Sequence, residues 1–126
     1  MATTDWDRAE TFQTECPHTF NSLQHLVMAM AKVSKNQGKK SFFGRDKGLA
    51  AYKTFEDKLR DTILAMVLDG VIKRNSPATD VRKILITGIQ LFASAFPNWQ
   101  DDYQYAHEYF IVSDTVAEDR IKVMLL

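Results

Sequence analysis

The sequence predicts an all-α protein, a bundle of four main helices with short helices at its two ends. Three observations carry that reading. Apolar residues recur at three- and four-residue spacing through most of the chain. Only five glycines and three prolines punctuate its 126 residues, and each proline falls between amphipathic stretches. A length of 126 residues fits one domain, residues 1–126, whose folding buries roughly two thirds of the unfolded surface.

The first short helix is expected from about Trp6 to Glu15. Thr4 can cap it, Asp5 and Asp7 suit the positive end of its dipole, and Trp6, Ala9 and Phe12 share a face. Cys16-Pro17 interrupts it. The second helix, about Thr19 to Lys35, sets Phe20, Leu23, Val27, Met30 and Ala31 on one side. Lys32 and Lys35 suit its C-terminal end, and Asn36 to Ser41 is a polar stop in which Gly38 can supply a left-handed terminus.

Asp46 can cap a long third helix reaching about Arg74. Along it Leu49, Tyr52, Leu59, Ile63, Met66 and Gly70 recur, with Phe55 beside them. The run Ile63 to Ile72 is apolar on most sides and marks the centre of the fold. In Asn75-Ser76-Pro77, Ser76 is a good N-cap and Pro77 fits a first helical position. The fourth helix then runs to about Phe96 with Val81, Leu85, Ile89, Phe92 and Phe96 as its stripe, widened by Ile84, Leu91 and Ala95. Pro97 ends it.

Asn98 can cap the next helix with Asp101 three positions on, which turns Trp99, Tyr103, Ala106 and Phe110 toward the core. Ser113-Asp114-Thr115 is the last break. Thr115 and Glu118 have capping-box spacing for a terminal helix carrying Val116, Ile121, Val123 and Leu125. No internal repeat or low-complexity segment interrupts this order.

Composition narrows the class of protein. Hydrophobic residues make up 45% and charged residues 25%, too apolar for intrinsic disorder and ordinary for a soluble globular chain. Cys16 is the single cysteine and cannot form an internal disulfide. The opening stretch carries Asp5, Asp7, Glu10 and Glu15 where a secretory signal has basic and then apolar residues, so a cytoplasmic setting is expected. The longest apolar run is about half the roughly 20 residues that span a bilayer, and no membrane partner is expected.

A formal net charge of zero conceals segregation. Between Lys32 and Lys47 six cations face the single carboxylate Asp46, whereas Asp101 to Asp119 holds six carboxylates and no Lys or Arg. In the basic segment Lys39, Lys40, Arg45 and Lys47 can attract phosphate oxygens, and Phe42 and Phe43 can stack on unpaired bases. The same phenylalanines can instead tuck under the bundle and anchor the following helix. The spacing Gly44 to Gly48 lacks the Gly-Lys-Ser/Thr ending of a nucleotide-binding loop.

In the acidic segment Asp101, Asp102, Tyr105, Glu108 and Tyr109 are expected on the solvent side, where tyrosines give contact area and carboxylates select a basic partner. An ordinary amphipathic helix with its tyrosines wedged against neighbours fits the same residues. His107 and Glu108 are adjacent and diverge on a helix, and His18 and His25 lie seven apart, so neither pair has the spacing of a helical metal site. Cys16 beside His18 lacks the third group that orients a catalytic base. Asp101-Asp102, Glu56-Asp57 and Glu118-Asp119 are sequence neighbours and diverge too.

No catalytic residue, cofactor or metal ligand is therefore assigned. The expected function is binding of a macromolecular partner as an adaptor, regulator or inhibitor, self-association being its simplest form. Nucleic-acid or anion binding through Lys32 to Lys47 is the alternative, and a small-molecule or metal site within the bundle is a second one.

Overall fold

The computed structural model describes residues 5–36, 47–95 and 103–125, and they are all-α: α1 (Asp5–Glu15), α2 (Pro17–Asn36), α3 (Lys47–Leu68), α4 (Ala78–Ala95), α5 (Tyr103–His107), a π turn (Glu108–Val112) and α6 (Asp114–Leu125). No strand occurs among the described residues. The expected residues Lys39, Lys40, Phe42, Phe43, Arg45, Asp101 and Asp102 lie outside them, as do the caps Thr4, Asp46 and Asn98.

The α1–α2 junction is one residue wide. The Cys16 N–H donates to Phe12 O (2.8 Å) and Cys16 O accepts from the Phe20 N–H (2.9 Å), so the hydrogen-bond ladder passes through the break. Pro17 itself opens α2, two residues earlier than expected, because proline at a first helical position loses a donor that has no helical partner anyway. Phe12, Phe20 and Phe92 form a ladder at 5.9 and 5.1 Å that ties α1 and α2 to α4.

α2 and α3 make the most extensive helix pair. Leu23, Leu26, Val27, Met30 and Val33 of α2 are buried with Phe55, Leu59, Ile63 and Met66 of α3. α4 joins this core through Val81, Leu85, Ile89 and Phe92, and α6 through Ala117, Ile121 and Met124. Gly88 lets α4 approach α2 closely: a Cβ there would stand 2.9 Å from Leu23 Cδ1. Leu49, expected on the inner face of α3, is instead 66% exposed.

α3 ends at Leu68, six residues before the expected Arg74. Gly70, read from spacing as a packing position, adopts φ +75° and closes the helix. Its N–H donates to Val67 O (3.1 Å) and the Val71 N–H donates to Met66 O (2.9 Å), the paired reverse bonds of a glycine-terminated helix. Ile72 remains buried in the connection that follows. In that connection Ser76 Oγ accepts the Lys73 N–H (2.8 Å) and the Ser76 N–H returns a bond to Lys73 O (3.0 Å). The Ser76 hydroxyl thus closes the turn ahead of α4, and Pro77 O accepts the first helical bond, from Val81 (3.1 Å).

The end of α3 also caps the start of α2. Asp69 Oδ2 accepts the Thr19 N–H at 2.7 Å, satisfying one of the free donors of the first turn and placing a carboxylate at the positive end of the dipole.

Candidate functional site

The densest group of polar and aromatic side chains lies where α5 and the π turn meet α3. Phe55 is fully buried at its centre and meets Tyr109, Tyr105 and Phe110 edge-on, at centroid distances of 4.9, 5.7 and 6.5 Å, with Tyr52 tilted at 5.8 Å. Tyr105 and Tyr109 stack at 6.1 Å. Edge-to-face and offset geometries are those the ring quadrupole favours.

This overturns the expectation that Tyr105 and Tyr109 face solvent, since both are buried. α5 packs against α2 and α4 while Phe55 of α3 covers another side, so Tyr105, Ala106, Tyr109 and Phe110 are buried together. That strip is wider than the face counted from Tyr103, Ala106 and Phe110 alone. Tyr103 is half-buried, and its hydroxyl accepts from Gln90 Nε2 at 2.8 Å. Glu108 is exposed, as expected.

Two cations fasten the cluster. Arg82 Nη1 donates to Phe110 O (2.8 Å) within the π turn, and its Nε donates to Glu118 Oε1 (3.1 Å), so one side chain joins α4, the turn and α6. Arg120 donates from Nε and Nη2 to the two carboxylate oxygens of Glu56 (2.6 and 3.3 Å), joining α6 to α3. These forked contacts suit the planar guanidinium. The π turn closes with the Ser113 N–H on Glu108 O (2.9 Å), and Ser113 O then accepts from Ala117 (3.0 Å) to start α6. Asp114 Oδ1 accepts the Thr115 N–H (2.7 Å), so α6 begins one turn-residue ahead of the expected Thr115 cap.

Titration follows from these surroundings. Burial, and then the charges of Tyr52, Glu108 and Glu56, push the Tyr105 phenol up to about 12. Burial raises Tyr109 further, with the adjacent Tyr52 hydroxyl next in importance, although Tyr109 Oη is buried without a hydrogen bond of good geometry. Both phenols stay protonated at neutral pH and serve as packing groups. Hydrogen bonds from Thr79 and Arg82 hold Glu118 below the usual carboxylate range. Burial, followed by Asp69 and Glu15, raises the Cys16 thiol, which is the opposite of what a thiolate nucleophile needs. Among the described residues no group of three or more His, Cys, Asp and Glu side chains is placed to hold a metal.

Outward of the cluster lies a surface that residue counting did not single out. Ile111, Val112, Val116 and Val123 are all exposed, Val112 at 67%. On α6 the steps 116, 119 and 123 put exposed Asp119 between two valines, and Glu108 and Asp114 are exposed nearby in the chain. The signal was present as the spacing of three valines, but α6 was read for its inward residues. Elsewhere an open cleft of about 420 Å³ lies beside Arg74, Ser76, Ala78, Lys122 and Leu125. No helix among the described residues is long and apolar enough to cross a membrane. Comparisons with protein-family models, with curated proteins and with solved structures find no match to this chain.

Proposed function

We propose that this is a small non-enzymatic helical protein of the cytoplasm that binds a macromolecular partner, as an adaptor, regulator or inhibitor. The observation that carries the reading is the exposed row Val112, Val116 and Val123 with Asp119 among them. Branched apolar side chains held in water on a rigid helix gain free energy when a partner covers them. The carboxylates Glu108, Asp114 and Asp119 favour a partner segment that is apolar and basic, and they repel acidic competitors.

The buried tyrosines support this surface from behind. Tyr105 and Tyr109 hold the π turn against Phe55, and the turn leads directly into the exposed valines of α6. A face on a preorganised support binds with less ordering cost than a flexible one.

A photo-crosslinking side chain placed at Val116 in cells is the test, with the same group at exposed Gln24 on α2 as control. A discrete adduct to a basic protein from position 116, absent from position 24 and lost on Val112→Asp, supports the reading. No adduct at 116, or the same adducts from both positions, refutes it.

A further inference from the structure

We propose that the exposed face of α3 is a two-fold self-association surface on which a second copy of this chain docks with its own α3 antiparallel. The face is set out by residues 49, 53, 57, 60, 61, 64 and 68, all exposed and recurring at three- and four-residue steps opposite the buried row of Phe55, Leu59, Ile63 and Met66. Leu68 is 74% exposed, the highest value among the exposed large apolar side chains, and Leu49 and Leu64 lie on the same side.

The order of side chains along this face is self-complementary. Two copies of α3 laid antiparallel about a two-fold axis between positions 58 and 59 bring Asp57 opposite Arg60 of the other copy, and Arg60 opposite its Asp57. In the same register Leu49 meets Leu68, and the Lys53 stem lies over Leu64 with its ammonium one turn from Asp61. Every charge on the face then meets its opposite, and the exposed leucines cover each other at both ends. A parallel in-register pair would set Lys53, Asp57 and Arg60 each against itself, so the sequence of charges selects one orientation. An isologous arrangement of this kind closes at two copies.

The charges are available for it. The ion pairs among the described residues are Arg82–Glu118 and Arg120–Glu56, and neither uses Lys53, Asp57, Arg60 or Asp61. α3 is a 22-residue helix, about 33 Å long, and it is anchored from behind by the α2 pairing, so the face is presented by a rigid element. A single helix pair falls at the small end of stable interfaces, so the dimer is expected to dissociate in the micromolar range and to weaken as salt rises. The valine face of α6 takes no part, so dimerisation and partner binding can fail separately.

Light scattering during size-exclusion chromatography of the full chain, over a range of protein concentrations at low and high salt, reads the assembly state. A concentration-dependent dimer at low salt is expected. Arg60→Glu and Asp57→Arg are each expected to weaken it by at least about tenfold, because each change acts twice across the two-fold axis. The double variant Asp57→Arg with Arg60→Asp restores the opposition of charges and is expected to recover the dimer. Register is read by mixing Leu49→Cys and Leu68→Cys chains, each also carrying Cys16→Ser: the mixed disulfide is expected and the Leu49→Cys self-disulfide is not. A chain that stays monomeric at every concentration, a dimer indifferent to Arg60→Glu, or a self-disulfide at position 49 overturns the proposal. The position-116 adduct, measured in the Arg60→Glu chain, reports on partner binding independently.

Discussion

Replacing Phe55 by leucine tests how much the aromatic cluster contributes to holding α5 and the π turn. Phe55 is fully buried, and its two closest edge-on partners are Tyr109 at 4.9 Å and Tyr105 at 5.7 Å. Edge-to-face pairs contribute about 0.5–1.5 kcal/mol each beyond burial, so losing two costs about 2 kcal/mol. Leucine also fills less space, and a residual void of roughly 25 Å³ at about 24 cal/mol per Å³ adds about 0.6 kcal/mol. The expected loss is therefore about 2.5 kcal/mol, with Phe55→Ala at about 4 to 5 kcal/mol because the whole ring is removed. Against a total of about 5–15 kcal/mol for a typical domain the leucine variant still folds, whereas the alanine variant is marginal. Urea unfolding followed by far-ultraviolet and tyrosine near-ultraviolet circular dichroism measures the difference. At a slope of about 2 kcal/mol per molar urea the Phe55→Leu midpoint falls by about 1.2 M, and the tyrosine signal weakens in the folded state. A loss below about 1 kcal/mol with the tyrosine signal unchanged would refute the view that Phe55 organises the cluster.

Arg82→Met removes the bond to Phe110 O and the tie to Glu118, and is expected to cost about 2 kcal/mol in urea unfolding, against about 0.5 kcal/mol for the more exposed Arg120→Met. Gly70→Ala is expected to lose about 1 kcal/mol from backbone strain alone, since φ is +75° and no atom lies within 4 Å of the new Cβ; Gly70→Asn should recover part of it. Thr19→Val replaces a buried hydroxyl that has no hydrogen-bond partner, keeps the N–H that Asp69 accepts, and is expected to raise the unfolding midpoint by up to about 1 kcal/mol equivalent. At alkaline pH an unfolded phenol ionises near 10 while folded Tyr105 holds its proton to about 12, so its contribution is intact below pH 10 and falls by about 2 kcal/mol as pH rises to 12. Absorbance titration should show Tyr105 and Tyr109 ionising only with unfolding, and Tyr105→Phe should flatten the alkaline loss of stability.

Much of the helical order was legible in the chain because its boundaries are local chemistry. Cys16-Pro17, Asn75-Ser76-Pro77 and Ser113-Asp114-Thr115 each fall at an observed break, and the stripes Leu23/Val27/Met30 and Val81/Leu85/Ile89/Phe92 are buried as their spacing requires. The end of α3 was not legible from periodicity. Apolar residues continue past Leu68 through Val71 and Ile72, and only the left-handed conformation of Gly70 distinguishes a terminus from a packing position. The tyrosines were placed on the wrong side for a related reason: a single-stripe count assumes one neighbour, whereas the α5 region is enclosed by α2, α4 and Phe55. Leu49, Leu64 and Leu68 fit a helical apolar stripe equally well whether it points in or out, and only packing against α2 decided that Phe55 and Leu59 turned inward.

The π turn carries a consequence for how this chain tolerates insertion and deletion. Its bond from the Ser113 N–H to Glu108 O encloses one more residue than an α-helical bond does, so the segment holds a residue that the ladder does not need. Removing one residue within 108–112 would let the backbone relax into a plain α-helix while rotating α6 by about 100° relative to α5. Phe110 O would lose its place opposite Arg82, and the Arg120 fork would turn away from Glu56. Surface loops usually absorb a lost residue, but here the two guanidinium ties count residues between α5 and α6, which makes this one turn length-sensitive in a chain otherwise joined by ordinary connections.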